Sequence, residues 1–161
     1  MKLSVCMILG RCDDKLIDTF HSIDSIADEI CLVQTVYDHR TADAIENFEF
    51  TSELIHKQDY TLMHEDGFLR SFAEARNVSF DLATGDMIMW VDADDVVVGP
   101  FKLRDEIDRL YAHGHQGKQI DMISMDYDYE FNTDGQCTTR QTRERIVRKD
   151  YFKWNINGPI H

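Results

Sequence analysis

The chain has 161 residues, enough for one globular domain with its own core, and 43% of them are hydrophobic, which excludes a disordered protein. Thirty Asp and Glu residues against seventeen Lys and Arg residues give a formal net charge of −13, which disfavours general nucleic-acid binding and adsorption to anionic membranes. No apolar run is long enough to span a bilayer, and the opening MKLSVCMILG is a poor signal peptide. We therefore expect a cytoplasmic protein with reduced cysteines.

The first half of the chain predicts strands that alternate with helices. Its strands are apolar runs with β-branched members, which is typical of strands buried on both faces. Its first helix carries Leu16, Phe20, Ile23 and Ala27 at helical spacing. In chain order we predict a strand at 2–9, a helix opening at Asp13 and Asp14, a strand at 29–36, a short helix after Thr41 and a weaker strand at 53–57.

The second half begins with the longest predicted helix and ends with two strands. The apolar stripe of that helix consists of Phe68, Phe72, Ala75 and Leu82. A later helix starts at a proline and ends before a glycine, which are common boundary signals. In chain order we predict a helix at 66–83, a strand at 86–92, a helix from Pro100 to about His113, and strands at 120–131 and 137–149 joined by a hairpin across Asn132 to Gly135.

The alternation through residue 113 predicts an α/β fold with a mostly parallel, helix-covered sheet and a C-terminal antiparallel hairpin. In such sheets ligands bind outside the carboxyl ends of the strands. The candidate site therefore consists of the segments that follow the first, second and fourth strands. These segments contain Arg11, Gln34 to Asp38, and Asp92 to Asp95.

Asp92 and Asp94 lie directly after the apolar run MIMWV, which places two carboxylates at the end of a buried strand. Hard oxygen ligands of this kind suit Mg²⁺ or Mn²⁺. The D-x-D spacing alone carries little information, because Asp makes up 21 of the 161 residues and the spacing recurs at Asp126 and Asp128. Its position at a strand end favours a metal site, and a solvated acidic loop remains the alternative.

The last two predicted strands each place charged side chains on one face. Arg143, Arg145 and Lys149 share a face, which is either a basic wall toward a phosphate-bearing ligand or a solvated surface. Asp126 and Asp128 share a face of the preceding strand, where they fit either a catalytic base or an exposed sheet edge.

Several motifs follow one another in a recognisable order. Residues 4–8 read S-V-C-M-I, Phe72 to Asn77 read F-A-E-A-R-N, and Ala83 to Asp86 read A-T-G-D. They are followed by D-A-D at Asp92 to Asp94 and by W-N-I-N-G-P-I-H from Trp154. This order resembles the family-2 glycosyltransferases of the GT-A fold, of the small bacterial and phage type, over nearly the whole chain.

The resemblance implies a nucleoside-diphosphate sugar donor bound together with Mn²⁺ or Mg²⁺. It makes Asp94 the metal ligand, places Asp92 near the metal and the ribose, and lets His161 complete the metal shell. The nucleotide-binding positions that it implies are Leu9, Arg11, Gln34, Asp38, Arg76, Asn77, Asp92 and Ala93. Gln34 stands where the family has a base-reading Asp, and Asp38 is the candidate substitute, so UDP, GDP and dTDP all stay open, with a UDP-sugar favoured.

The implied reaction is a direct displacement that inverts the anomeric carbon, and a carboxylate must take the proton of an acceptor of unknown identity. Among the residues present we favour Asp126 over Asp128 as this base, because partial burial of Asp126 would raise its pKa, and a base lost with a missing C-terminal part is the alternative. We expect one domain, with a donor-binding part at 1–113 and an acceptor-side part at 114–161. The chain stops at His161 without the family's closing Glu, which leaves a truncated chain or a minimal enzyme as alternatives.

Two other classes of protein remain open. One is a nucleotide-sugar-binding module that has lost catalysis. The other is a nucleotidyltransferase, which would require a glycine-rich, basic phosphate loop after the first strand. The segment Leu9 to Asp13, L-G-R-C-D, is poor in glycine and so disfavours this class.

Overall fold

A six-stranded mixed sheet organises the protein in the computed structural model, which describes residues 1–12, 14–52, 54–60 and 69–156. Within these residues, no helix combines the length and the apolar character that are needed to cross a bilayer. In chain order the elements are β1 (Leu3–Leu9), α1 (Lys15–Asp24), β2 (Glu29–Gln34), α2 (His39–Asn47), β3 (Ile55–Asp59), α3 (Phe72–Leu82), β4 (Met87–Trp90), α4 (Pro100–His113), β5 (Met122–Phe131), β6 (Cys137–Arg148) and a 3₁₀ turn (Lys149–Tyr151).

The strands lie in the order β3-β2-β1-β4-β6-β5. The first four are parallel, and β6 is antiparallel to both of its neighbours. This arrangement confirms the predicted α/β class with a C-terminal hairpin. The chain moves outward from β1 to β3 and then returns to place β4 on the other side of β1. The carboxyl ends of β1 and β4 therefore flank the switch point of the sheet, where ligands of such folds bind.

The central strands are buried because helices cover both faces of the sheet. On one face, alternate side chains of β1, including Val5 and Met7, pack with α1 and with Ile107 of α4. On the other face, Cys6 packs in a cluster that includes Phe80 of α3. This two-sided burial explains why β1, β2 and β4 read as continuous apolar runs.

The structure moves the start of the third helix. α3 begins at Phe72 instead of residue 66, because Ser71 caps it by accepting the Glu74 N–H at 3.1 Å. Phe68 lies outside the described residues. The predicted stripe is wrong at Phe72, which is 51% exposed in the first turn, whereas Phe80 is buried. Among the described residues α4 is the longest helix, with 14 residues between the predicted bounds.

The starts of the first two helices differ less from the prediction. α2 begins at His39, before Thr41, because the Asp38 carboxylate accepts the Thr41 N–H at 3.0 Å and caps the helix. α1 begins at Lys15 after Asp14, and Asp13 lies outside the described residues. The Asp38 side chain thus defines the first turn of α2, whereas the Asp14 side chain makes no capping hydrogen bond at the start of α1.

The β5–β6 hairpin extends past the end of β4. Only Ile146 to Arg148 of β6 pair with β4, and the rest of the hairpin forms a two-stranded ribbon beyond the carboxyl end of that strand. The pairing shifts between Ile123–Ile146 and Ser124–Glu144, so Arg145 is the extra residue of a β-bulge. Bulges commonly occur next to functional sites, where they redirect a side chain.

A buried carboxylate connects several elements at the opposite, amino-terminal edge of the sheet. Glu29 is fully buried, and its Oε1 lies 3.1 Å from Lys2 Nζ and 3.0 Å from His56 Nε2. The same side chain accepts hydrogen bonds from the Ser4 hydroxyl and from the Thr84 N–H at 2.7 Å. Burial raises the pKa of Glu29, but the hydrogen bonds from Ser4, Thr84 and Lys2 outweigh this effect and lower the pKa to about 2.

Candidate functional site

An acidic turn follows β4 at the switch point of the sheet. The Asp95 N–H donates to the Asp92 carbonyl at 3.1 Å, which closes the turn. The Thr19 hydroxyl of α1 donates to the Ala93 carbonyl at 3.0 Å and holds the turn against the helix that follows β1. The structure thus places three Asp side chains at the edge that the sequence predicts.

Two arginines neutralise Asp92 from different elements. Arg76 of α3 contacts Asp92 Oδ1 through Nη2 at 2.9 Å. Arg145 of the bulge contacts Asp92 Oδ2 through Nη1 at 3.2 Å and Asp95 Oδ2 through Nη2 at 3.2 Å. Because its side chain is only 11% exposed, Arg145 holds its positive charge within the turn rather than in bulk solvent.

Tyr127 of β5 completes the other side of this cluster. Its hydroxyl donates to Asp95 Oδ1 at 2.7 Å, and its ring lies 4.9 Å from the Arg145 guanidinium. Burial and the bond to Asp95 raise the pKa of Tyr127 to about 12, so the phenol stays protonated as a donor. Burial also raises the pKa of Asp95, although the Tyr127 hydrogen bond and the Arg145 charge oppose this effect.

Asp94 differs from its two neighbours. Its side chain is exposed, and no hydrogen-bond or ion-pair partner for it lies among the described residues. No group of three or more His, Cys, Asp or Glu side chains able to hold a metal ion occurs in the described part of the chain, and His161 lies outside it. The residues fit a cation held by Asp94 whose other ligands are ligand phosphates and water, an arrangement that Mg²⁺ often adopts.

Arg76 and Asn77 are adjacent in sequence but have different partners. Both ends of the Asn77 amide bond to the backbone of Trp154, with the amide donating to the carbonyl at 3.0 Å and its oxygen accepting the N–H at 2.8 Å. The Trp154 ring packs edge-on against Trp90 and lies 4.7 Å from the Arg76 guanidinium. Asn77 thus holds the chain segment whose ring supports Arg76.

The other predicted nucleotide-binding residues lie at the neighbouring strand ends. The Leu9 carbonyl accepts the Thr35 N–H at 2.7 Å, and the Gln34 amide donates to the Val36 carbonyl at 3.1 Å. Arg11 is exposed, and its charge helps the Thr41 N–H and hydroxyl to lower the pKa of Asp38. Gln34 also lines a cavity of about 120 Å³ between β2, β3 and α2. These residues therefore lie at the ends of β1, which neighbours β4, and of β2, which is one strand further from the acidic turn.

The structure does not bring Asp126 and Asp128 to this cluster. Successive strand residues face opposite sides, and Tyr127 between them faces Asp95. On the other side of β5, Arg140 lies 3.8 Å from Asp126 and donates to Asp128 at 3.1 Å. The predicted partial burial of Asp126 is wrong, since its side chain is 69% exposed. The hydrogen bonds from Arg140 and Cys137 lower the pKa of Asp128, opposite to the shift that a base requires.

The three residues of the predicted basic wall have different surroundings in the structure. Arg145 joins the acidic turn, Arg143 is exposed, and Lys149 belongs to the 3₁₀ turn and donates to the Ala83 carbonyl. The bulge interrupts the alternation on which the prediction relied. Sequence reasoning also missed Tyr127, although the alternation of acids with aromatic residues along β5 was a readable signal of two different faces.

The strand order is that of an α/β, Rossmann-like fold that matches solved GT-A-like structures. Residues 1–349 of TarS from S. aureus match with a TM-score of 0.59 at 15% identity, over 92% of this chain and 47% of that chain. The same TarS region in complex with UDP-GlcNAc matches with a TM-score of 0.56 at 18% identity, over 70% and 32%. CMP:2-keto-3-deoxy-manno-octonic acid synthetase complexed with CTP matches with a TM-score of 0.56 at 9% identity, over 93% and 75%.

The chain spans less than half the length of the TarS chains that it matches. At these identities the likeness establishes the fold. No family model and no curated protein matches the sequence.

Proposed function

We propose that this chain is the donor-binding domain of a metal-dependent inverting glycosyltransferase that uses a nucleoside-diphosphate sugar, with a UDP-sugar favoured. The observation that carries the proposal is Asp94, an exposed carboxylate without a partner among the described residues, at the switch point of the sheet. It lies on one turn with Asp92 and Asp95, both of which are neutralised by arginine. Such a turn offers one free ligand to a cation and fixed positive charge to an anion.

Charge explains why the site would require a cation. Asp92, Asp94 and Asp95 together with Arg76 and Arg145 leave one net negative charge, which repels a diphosphate. Asp94 would hold Mn²⁺ or Mg²⁺, and the expected contributions of Asp92 and of His161, which lies outside the described residues, stay predictions. When bound, the cation supplies a Lewis acid that stabilises the leaving diphosphate. Among the chain's own residues, Arg76 would contact the nucleotide from α3.

The comparisons support a nucleotide ligand but leave the reaction as part of the proposal. TarS, a glycosyltransferase, has this fold and has been solved with UDP-GlcNAc and with UDP. A nucleotidyltransferase is the second candidate, because the CTP-complexed synthetase is matched over 75% of its own length. The short segment at Gly10 and Arg11 argues against it, since that class cradles phosphates in a longer glycine-rich loop. A donor-binding module without transfer activity is the third candidate.

A thermal-unfolding assay with Mn²⁺ tests the nucleotide site. At a nucleotide concentration of about 100 times Kd, binding stabilises the folded protein by about 2.7 kcal/mol, which raises Tm by roughly 5–11 °C. UDP, GDP, dTDP and CTP are compared with and without the metal, and we expect the largest rise with UDP plus Mn²⁺. If all four leave Tm unchanged in both conditions, the proposed function is wrong.

The released product separates the classes of enzyme. A glycosyltransferase that hydrolyses a UDP-sugar slowly without acceptor releases UDP, whereas a nucleotidyltransferase releases pyrophosphate from a nucleoside triphosphate. Binding of UDP-sugar without either product identifies the binding module. Asp94→Ala provides the matched control, because it removes the free carboxylate and leaves the ion pairs of the turn in place.

A further inference from the structure

Arg145 has fewer hydrogen bonds than its burial requires. Its side chain is 11% exposed, yet among the described residues only Nη1, bonded to Asp92, has a partner with good hydrogen-bond geometry. The contact from Nη2 to Asp95 is an ion pair at 3.2 Å. A guanidinium carries five N–H donors, and charge-assisted bonds usually measure about 2.7–2.9 Å. Arg145 is thus held by charge and by the Tyr127 ring, and it has N–H donors that make no hydrogen bond to the described residues.

Both acids that contact Arg145 have a second partner. Asp92 keeps Arg76 at 2.9 Å, and Asp95 keeps the Tyr127 hydroxyl at 2.7 Å. If Arg145 turns to another anion, neither carboxylate is left without a hydrogen bond. The usual penalty for an orphaned buried charge therefore does not arise.

Asp94 lies in the same turn, between the two acids that Arg145 contacts. A ligand held by a cation at Asp94 would therefore lie at the same turn that the Arg145 guanidinium contacts. The planar guanidinium matches phosphate oxygens in a fork geometry better than it matches two separate carboxylates. The bulge of β6 directs this guanidinium into the acidic turn, away from Arg143 and Lys149 of the predicted basic wall.

We propose that Arg145 is the diphosphate-recognition residue of this site, and that it exchanges Asp92 and Asp95 for the β-phosphate of a bound nucleoside diphosphate. This inference rests on the proposed function and deepens it, since it names the part of the ligand that is read. It implies that the site discriminates nucleoside diphosphates from monophosphates through Arg145, whichever base is bound.

The test compares the affinities of UDP and UMP by calorimetry in the presence of Mn²⁺. Arg145→Gln should weaken UDP binding by roughly 10- to 100-fold, as expected for losing a hydrogen bond to a charged group, and should change UMP binding by less than about 3-fold. Arg143→Gln is the matched control, because Arg143 is exposed two residues earlier on the same strand, and it should change neither affinity.

A second variant leaves Arg145 intact. Tyr127→Phe removes the second partner of Asp95, so Asp95 competes more strongly for Arg145, and UDP binding should weaken by about 3- to 10-fold while UMP binding holds. Circular dichroism confirms that each variant is folded before binding is measured. If Arg145→Gln fails to fold, Tyr127→Phe decides alone.

Two results overturn the inference alone: unchanged UDP affinity in both variants, or equal losses for UDP and UMP, which indicate a purely structural arginine. A wild-type chain that binds neither nucleotide with Mn²⁺ overturns the proposed function and the inference together.

Discussion

Replacing Glu29 by Gln tests the buried network at the amino-terminal edge of the sheet. The pKa of Glu29 is about 2 in the folded protein, against 4.5 for an unperturbed Glu. This difference corresponds to about 3 kcal/mol of stability at pH 7 that depends on the ionised carboxylate. Glu29→Gln should therefore lower the free energy of unfolding by about 3 kcal/mol and Tm by roughly 6–12 °C.

The contribution of Glu29 to the free energy of unfolding should decrease at low pH. Because folding lowers the pKa of Glu29, its contribution is complete above pH 4.5 and is lost as the pH falls toward 2. At pH 3 about 2 kcal/mol of it should be gone, so the difference between wild type and Glu29→Gln should shrink to about 1 kcal/mol.

Urea unfolding at pH 7, 5, 4 and 3 measures this difference. Glu49→Gln serves as the control, because Glu49 is exposed, and it should match wild type at every pH. The reasoning fails if Glu29→Gln is as stable as wild type at pH 7, or if the difference between them stays constant down to pH 3.

Three further substitutions probe the site and its supports. Asp94→Ala should abolish the Mn²⁺-dependent rise in Tm with UDP and leave ligand-free stability within about 0.5 kcal/mol, since Asp94 has no described partner; a retained rise would refute its role as ligand. Gly85→Ala should lower stability by about 1–3 kcal/mol in urea unfolding, because its Cβ would lie 2.5 Å from Ser4 Oγ; wild-type stability would contradict this. Trp154→Leu should weaken UDP binding several-fold through loss of the ring beneath Arg76, and calorimetry showing equal affinity would exclude that support.

The sequence predicts the sheet because burial on both faces leaves a strong signal. The apolar runs of β1, β2 and β4 are visible without any structure, and α4 has its boundary signals at Pro100 and Gly114. Apolar spacing predicts a start of α3 that is too early, whereas the pair Ser71 and Glu74 is a readable capping pattern that marks the observed start.

Some residues of the site can be located from the strand ends in the sequence, whereas the positions of others depend on the register of the strands. Asp92 and Asp94 follow β4 directly, so their position at the carboxyl edge follows from the sequence. The alternation of side chains along β5 places Tyr127 and Asp126 on opposite faces of the strand. It does not show which of these two residues points toward the acidic turn. The bulge at Arg145 leaves no signal in the residue pattern, so the link from β6 to Asp92 required the structure.

The position of β6 determines when this protein can become functional during folding. β4 pairs with β1 on one side, but its other edge waits for a strand that is synthesised much later in the chain. Until β6 arrives, the apolar edge of Met87 to Trp90 is open to pairing with other chains, which is the usual origin of aggregation from partly folded states. The same strand delivers Arg145, so insertion of β6 closes the vulnerable edge and completes the charge balance of the acidic turn in one late event.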